Sequence, residues 1–167
     1  MVLGLSIDAF TLLHAIISLI AIATGIIALW AMLQGRAPDW IMHVFLVTTA
    51  LTTITGFLFP ITAFTPALGV GLLSTALLVL AFAGLYVCHL AGHWRIIFAV
   101  TATAALYLNV FVLVVQIFQK VPFFVDLAPT QTEAPFVIAQ LVLLADFIWL
   151  GFNAVRRFRP PVPSSLA

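Results

Sequence analysis

Five runs of about 20 or more apolar residues, each closed by a short polar break, decide what this chain can fold into. They cover residues 9–33, 40–59, 68–91, 96–119 and 136–155. A run of that length spans the hydrocarbon core of a bilayer at about 1.5 Å per residue. Lipid offers no hydrogen bonds to peptide groups, so each run must close its own backbone bonds as a helix. The charge content agrees. Only 7% of the 167 residues are charged and 65% are hydrophobic, against about 25% charged in ordinary soluble domains. The expected fold is an all-α, polytopic transmembrane bundle of five spans. One transmembrane domain covers residues 1–155, and a short basic, Pro-rich tail covers 156–167.

The first run reads as a permanent span. No Lys or Arg precedes it, and it is longer than the roughly 7–15 residues of a signal-peptide core. The breaks between spans carry turn chemistry. Asp39 stands where a side-chain acceptor would cap the second helix. Pro60 and Pro66 bracket the next turn, and residues 92–95 form a tight polar corner. Residues 120–135 make the longest loop. The tail holds Pro160, Pro161 and Pro163 and is expected to be extended.

Basic residues set the expected orientation. Arg36, Arg95, Arg156, Arg157 and Arg159 share one side, and Lys120 stands alone on the other. The bias puts the C terminus in the cytoplasm and the N terminus outside. A net charge of +1 with no basic stripe excludes nucleic acid as a partner. The one cysteine, Cys88, excludes an internal disulfide and a C-x-x-C pair. No Gly-rich phosphate loop, H-E-x-x-H or G-x-S-x-G occurs.

Lipid tails are as apolar as leucine, so small and weakly polar residues mark the packing faces. Span one shows a 3-4-3-4 seam of Thr11, His14, Ser18, Ala21, Gly25 and Ala28. Span two carries a threonine run from Thr48 to Thr55, whose hydroxyls can bond carbonyls one turn back. Span four has a stripe of Thr101, Ala105, Asn109, Val112 and Gln116. Span five places Asp146 and Asn153 seven apart, on one face.

Three groups carry candidate chemistry. Asp146 lies near the middle of span five, where a charged side chain costs about 2.5–3.5 kcal/mol even on the most lenient scale. Its expected partner is Asn109, at the same depth in span four. His14, Gln116 and Gln140 lie about 10 Å outward of the midplane on three different spans. With Asp146 and Asn109 they form an expected polar column opening to the outer face, suited to a small ligand, a proton path or a quinone headgroup. His43, His89 and His93 gather on the cytoplasmic side. Imidazole pairs ligate haem iron and divalent metals. His43 and His89 on successive spans are therefore the candidate ligands of a haem b, and His93 shares a helical face with His89 if that helix continues. The bland alternatives are interhelical hydrogen bonding for the column and interfacial snorkelling for the histidines.

Two stretches carry a resemblance. Thr55-Gly56-Phe57-Leu58-Phe59-Pro60 closes span two, and residues 105–116 read ALYLNVFVLVVQ, leading through Lys120-Val121-Pro122 to Ala128-Pro129-Thr130-Gln131 and Glu133. Together they resemble a group of small, uncharacterised bacterial inner-membrane proteins. The resemblance implies a bacterial inner-membrane location and carries over no activity. The tryptophan-rich sensory proteins also have five spans at similar length. This chain lacks their Trp-Pro motifs.

The expected function is that of a non-enzymatic accessory or small-ligand-binding component of the inner membrane, with an outward-opening polar site. Its expected partners are the lipid bilayer and a second copy or a larger membrane complex. The alternatives are a haem b or quinone-linked redox protein, and a proton-coupled transporter using Asp146.

Overall fold

Three side chains start three of the long helices. Ser6 Oγ accepts from Ala9 N–H at 3.2 Å and opens α1, Ile7–Leu33. Asp39 accepts from Ile41 N–H and Met42 N–H at 3.0 and 3.3 Å and opens α2, Trp40–Phe57, as the sequence predicts. Thr65 Oγ1 accepts from Leu68 N–H at 3.2 Å, ahead of Pro66 at the start of α3, Pro66–Phe82. Each cap satisfies N–H groups that the first helical turn leaves free. The computed structural model describes residues 2, 4–60 and 65–159. The Pro-rich tail from residue 160 onward lies outside them.

The remaining elements follow without side-chain caps. A π-helical stretch, Ala83–Val87, extends α3 and is closed by Cys88 N–H donating to Ala83 O at 2.9 Å. α4 runs Trp94–Lys120, α5 is the short helix Pro122–Leu127, and α6 runs Ala134–Arg157. Among the described residues, five helical segments are long and apolar enough to cross a membrane: α1, α2, α3 with its π extension, α4 and α6. The protein is an all-helical bundle with the character of a multi-pass membrane protein. The span limits fall within two residues of the sequence expectation, with one exception. The third helix stops at Val87 rather than at residue 91, and His89 and Leu90 take left-handed φ values of 47° and 59°. The short helix α5 is also new. It sits in a segment that Pro122 and Pro129 make look like plain loop.

α4 is the central helix. It packs on α3 and α6 and also touches α1 and α2, while α1 packs mainly on α2. Its alanines explain this position. Ala99, Ala102 and Ala105 are buried, and small residues let neighbouring backbones approach in lipid. The core joins them to Met32, Met42, Phe45, Leu46, Phe98 and Leu106. On α1, the expected seam turns inward at Ala21, Gly25 and Ala28, all buried. A Cβ on Gly25 would lie 2.6 Å from Leu106 Cδ1 and 2.8 Å from two ring carbons of Phe45. Hydrogen is the only side chain that fits where α1 crosses α2 and α4.

Arg95, at the start of α4, ties down the far end of α6. Its guanidinium donates to Val155 O at 3.0 Å and also to Phe158 O. The last carbonyls of a helix have no intrahelical partner, and a cation there also suits the helix dipole. Phe158 is fully buried against Phe98, with ring centroids 5.9 Å apart. These contacts place the starts of α4 and α2 and the end of α6 at one end of the bundle. Gly35, between α1 and α2, abuts Arg157 O there.

Candidate functional site

The polar residues of the spans are distributed over helix pairs rather than gathered in one column. His14 is a half-buried residue of α1, and its Nδ1 lies 2.8 Å from Thr55 Oγ1 of α2. Thr55 also donates to Leu51 O at 2.7 Å. With the hydroxyl proton used there, His14 Nδ1–H is the donor, and the ring is held in that tautomer. Phe59 packs edge-on to the imidazole with centroids 5.3 Å apart. Asn109 of α4 donates to Thr49 Oγ1 of α2 at 3.2 Å, and Thr49 is fully buried. Gln140 of α6 donates to Phe111 O of α4 at 3.4 Å. The side-chain oxygens of Gln116, Gln140 and Thr52 are buried and take no hydrogen bond from the described residues.

Each of these contacts is interhelical polar glue. Such bonds contribute about 0.6 kcal/mol on average and up to about 1.7 kcal/mol in membranes. Asn109→Leu keeps the volume and loses the bond to Thr49, so it is expected to lower stability by about 1 kcal/mol. Unfolding in mixed detergent micelles, followed by circular dichroism, measures this. An unchanged midpoint would mean that the Thr49–Asn109 contact contributes nothing.

The expected pairing of Asp146 with Asn109 does not form. Asn109 is turned to α2, and Asp146 is exposed on the outside of the bundle. Equal depth was the basis of the expectation, and the direction around the helix decides against it. The inward row of α6 runs Phe136, Gln140, Leu143, Phe147, Leu150 and Ala154, at 4-3-4-3-4 spacing. Phe136 meets Phe118 at 5.3 Å between ring centroids, and Phe147 meets Tyr107 at 5.7 Å. Asp146 precedes Phe147 and therefore points about 100° away from that row. α6 has 24 residues, so Asp146 sits at its middle, about 18 Å from either end. Among the described residues, every Lys and Arg lies at or beyond a helix end or in its last turn, far from this depth.

His43, His89 and His93 have three different settings. His43 Nδ1 lies 2.5 Å from the Tyr86 hydroxyl, and the two rings pack at 5.5 Å. Tyr86 in turn stacks on Phe82 at 5.6 Å. His89 follows the end of the helix in a left-handed conformation, and His93 is exposed just before α4. The two do not share a helical face, because no helix runs through residues 88–93. No group of three or more His, Cys, Asp and Glu among the described residues is arranged to hold a metal ion.

One concavity between the helices is apolar. A groove of about 410 Å³ opens between α4 and α6, lined by Val100, Thr103, Tyr107, Phe147, Ile148 and Phe152. It holds none of the polar column residues. The gap beside Gly25 at the α1–α2–α4 crossing has no room for a water molecule. Two roles emerge only in the structure. Tyr86, three residues before His89, is the partner of His43, and Arg95 is a helix clamp as well as a topology signal. A hydroxyl-bearing aromatic one span away from a histidine was the available clue for Tyr86.

The chain matches no protein-family model, no curated protein and no solved structure.

Proposed function

We propose that this protein is a non-enzymatic accessory component of the bacterial inner membrane that works by lateral association within the bilayer. The observation that carries this reading is Asp146, exposed at the middle of the peripheral helix α6. A charged carboxyl group facing lipid at that depth costs about 2.5–3.5 kcal/mol on the lenient insertion scale, and a protein surface that offers it a hydrogen-bonding partner offsets that cost. α6 is the natural docking element. Apart from Ala154 it buries no residue fully, and Ile148 and Trp149 are 64% and 65% exposed.

The interior supports association over ligand chemistry. His14, Asn109 and Gln140 are engaged with neighbouring helices, and the groove between α4 and α6 is apolar. The five-to-one distribution of basic residues supports an N terminus outside and a C terminus in the cytoplasm. The resemblance to small bacterial inner-membrane proteins supports the location.

The test extracts the protein with its surrounding lipid in a styrene–maleic acid copolymer and measures the protein mass of each particle. The wild type is expected to exceed the 18.1 kDa of one chain, and Asp146→Leu is expected to run as a single folded chain. A wild-type particle containing one chain alone would overturn the reading.

A further inference from the structure

α6 carries a second regular row beside its inward one. Ala139, Val142, Asp146, Trp149 and Asn153 follow one another at 3-4-3-4 spacing. Each directly precedes a member of the inward row, so the second row lies about 100° around the helix. Val142 and Trp149 are 55% and 65% exposed, and Asp146 is exposed. A 3-4 row of this kind is the seam of a left-handed helix pair. Asp146 and Asn153 occupy equivalent positions of the repeat, seven apart, where a polar residue fixes the register and the number of strands.

We infer that this row is the interface of a parallel homodimer, with α6 packed on α6 of a second copy about a two-fold axis along the membrane normal. The inference rests on the proposed lateral association and names its partner. A two-fold axis in that direction sets each residue against its own copy at the same depth. Both polar members of the row are self-complementary. Two carboxyl groups sharing one proton offer a donor and an acceptor to each other. Asn153 donates one N–H to Trp149 O at 2.7 Å. Its other N–H and its carbonyl oxygen are left for the Asn153 of the second copy. Among the described residues no Lys or Arg lies near the midplane, so a copy of the chain meets Asp146 with a carboxyl and not with a charge of opposite sign. Arg156, the next position along the row, does not oppose its copy. Its guanidinium is drawn over the Phe152 ring, 4.3 Å from the centroid, and Phe152 lies off the row.

Cysteine cross-linking in native membranes tests this. Cys88→Ser removes the one native thiol. Single cysteines then replace Ala139 and Val142 on the row, and Leu141 and Ile148 off it. Leu141 and Ile148 are 59% and 64% exposed, so they are reachable from the lipid. Oxidation is expected to trap dimers at Ala139→Cys and Val142→Cys and several-fold less at the other two. Asp146→Asn, which keeps a self-complementary group, is expected to retain the cross-link, and Asp146→Leu to lose it. Circular dichroism of each variant confirms that it is folded. Equal cross-linking at all four positions, or none at the row, would overturn the homodimer. If the row fails to cross-link while the copolymer-extracted wild type remains heavier than one chain and Asp146→Leu does not, the partner is another protein and lateral association stands. If the row fails and the wild type is a single chain, both fall.

Discussion

Gly25→Leu is expected to destabilise the bundle by about 3 kcal/mol, the upper end of the usual overpacking cost. The reason is local and steric. A Cβ at this position already meets Leu106 Cδ1 at 2.6 Å and the Phe45 ring at 2.8 Å. Neither neighbour can turn into solvent, since Leu106 is 1% and Phe45 2% exposed. The added side chain must therefore push α1 away from α2 and α4 together. Helices in lipid cohere by close packing, because burial of apolar surface supplies no drive there. A lost crossing is then lost contact with nothing in return. Gly25→Ala is expected to fall between wild type and Gly25→Leu. Unfolding midpoints in mixed micelles measure both. A Gly25→Leu variant as stable as wild type would show that the crossing is looser than the structure has it.

Arg95→Met is expected to cost about 1.5–3 kcal/mol, the range for a hydrogen bond to a charged group. Methionine keeps the apolar stem and removes both donors to Val155 O and Phe158 O. Those carbonyls belong to the end of α6, where the chain offers no other partner within the helix. The loss should be concentrated at one end of one helix. Hydrogen exchange is expected to speed up for the amides of residues 154–158 and to change little in α1 and α2. Exchange unchanged at the end of α6 would contradict the role given to Arg95.

The spans were legible in the sequence because lipid leaves a long apolar run only one backbone solution. The Gly25 seam was legible for a related reason, since small residues at 3-4 spacing have few other uses. The direction in which Asp146 points was not. Hydropathy separates core from surface in water, but a leucine in the core and a leucine in lipid look alike. Depth can be counted along a helix, and azimuth cannot be read from apolar residues that are at home on every side. Asn109 and Asp146 were therefore matched by depth and proved to face different neighbours. The shared helical face expected for His89 and His93 is lost to a backbone detail. Nothing in Ala83–Val87 announces a π-helical stretch, and the left-handed turn at His89 and Leu90 separates His89 from His93.

The central claim is that protein, and not lipid, covers the Asp146 face of α6 in the bilayer. The most direct measurement is the accessibility of nitroxide spin labels to oxygen, which concentrates in the hydrocarbon. The labels are placed singly on cysteines at 141, 142 and 148 in a Cys88→Ser background and read in native lipid. The labels at 141 and 148 are expected to be fully accessible and the label at 142 protected, with protection at 142 lost in Asp146→Leu. Three equally accessible labels would mean that the face meets lipid, and lateral association through Asp146 would be wrong.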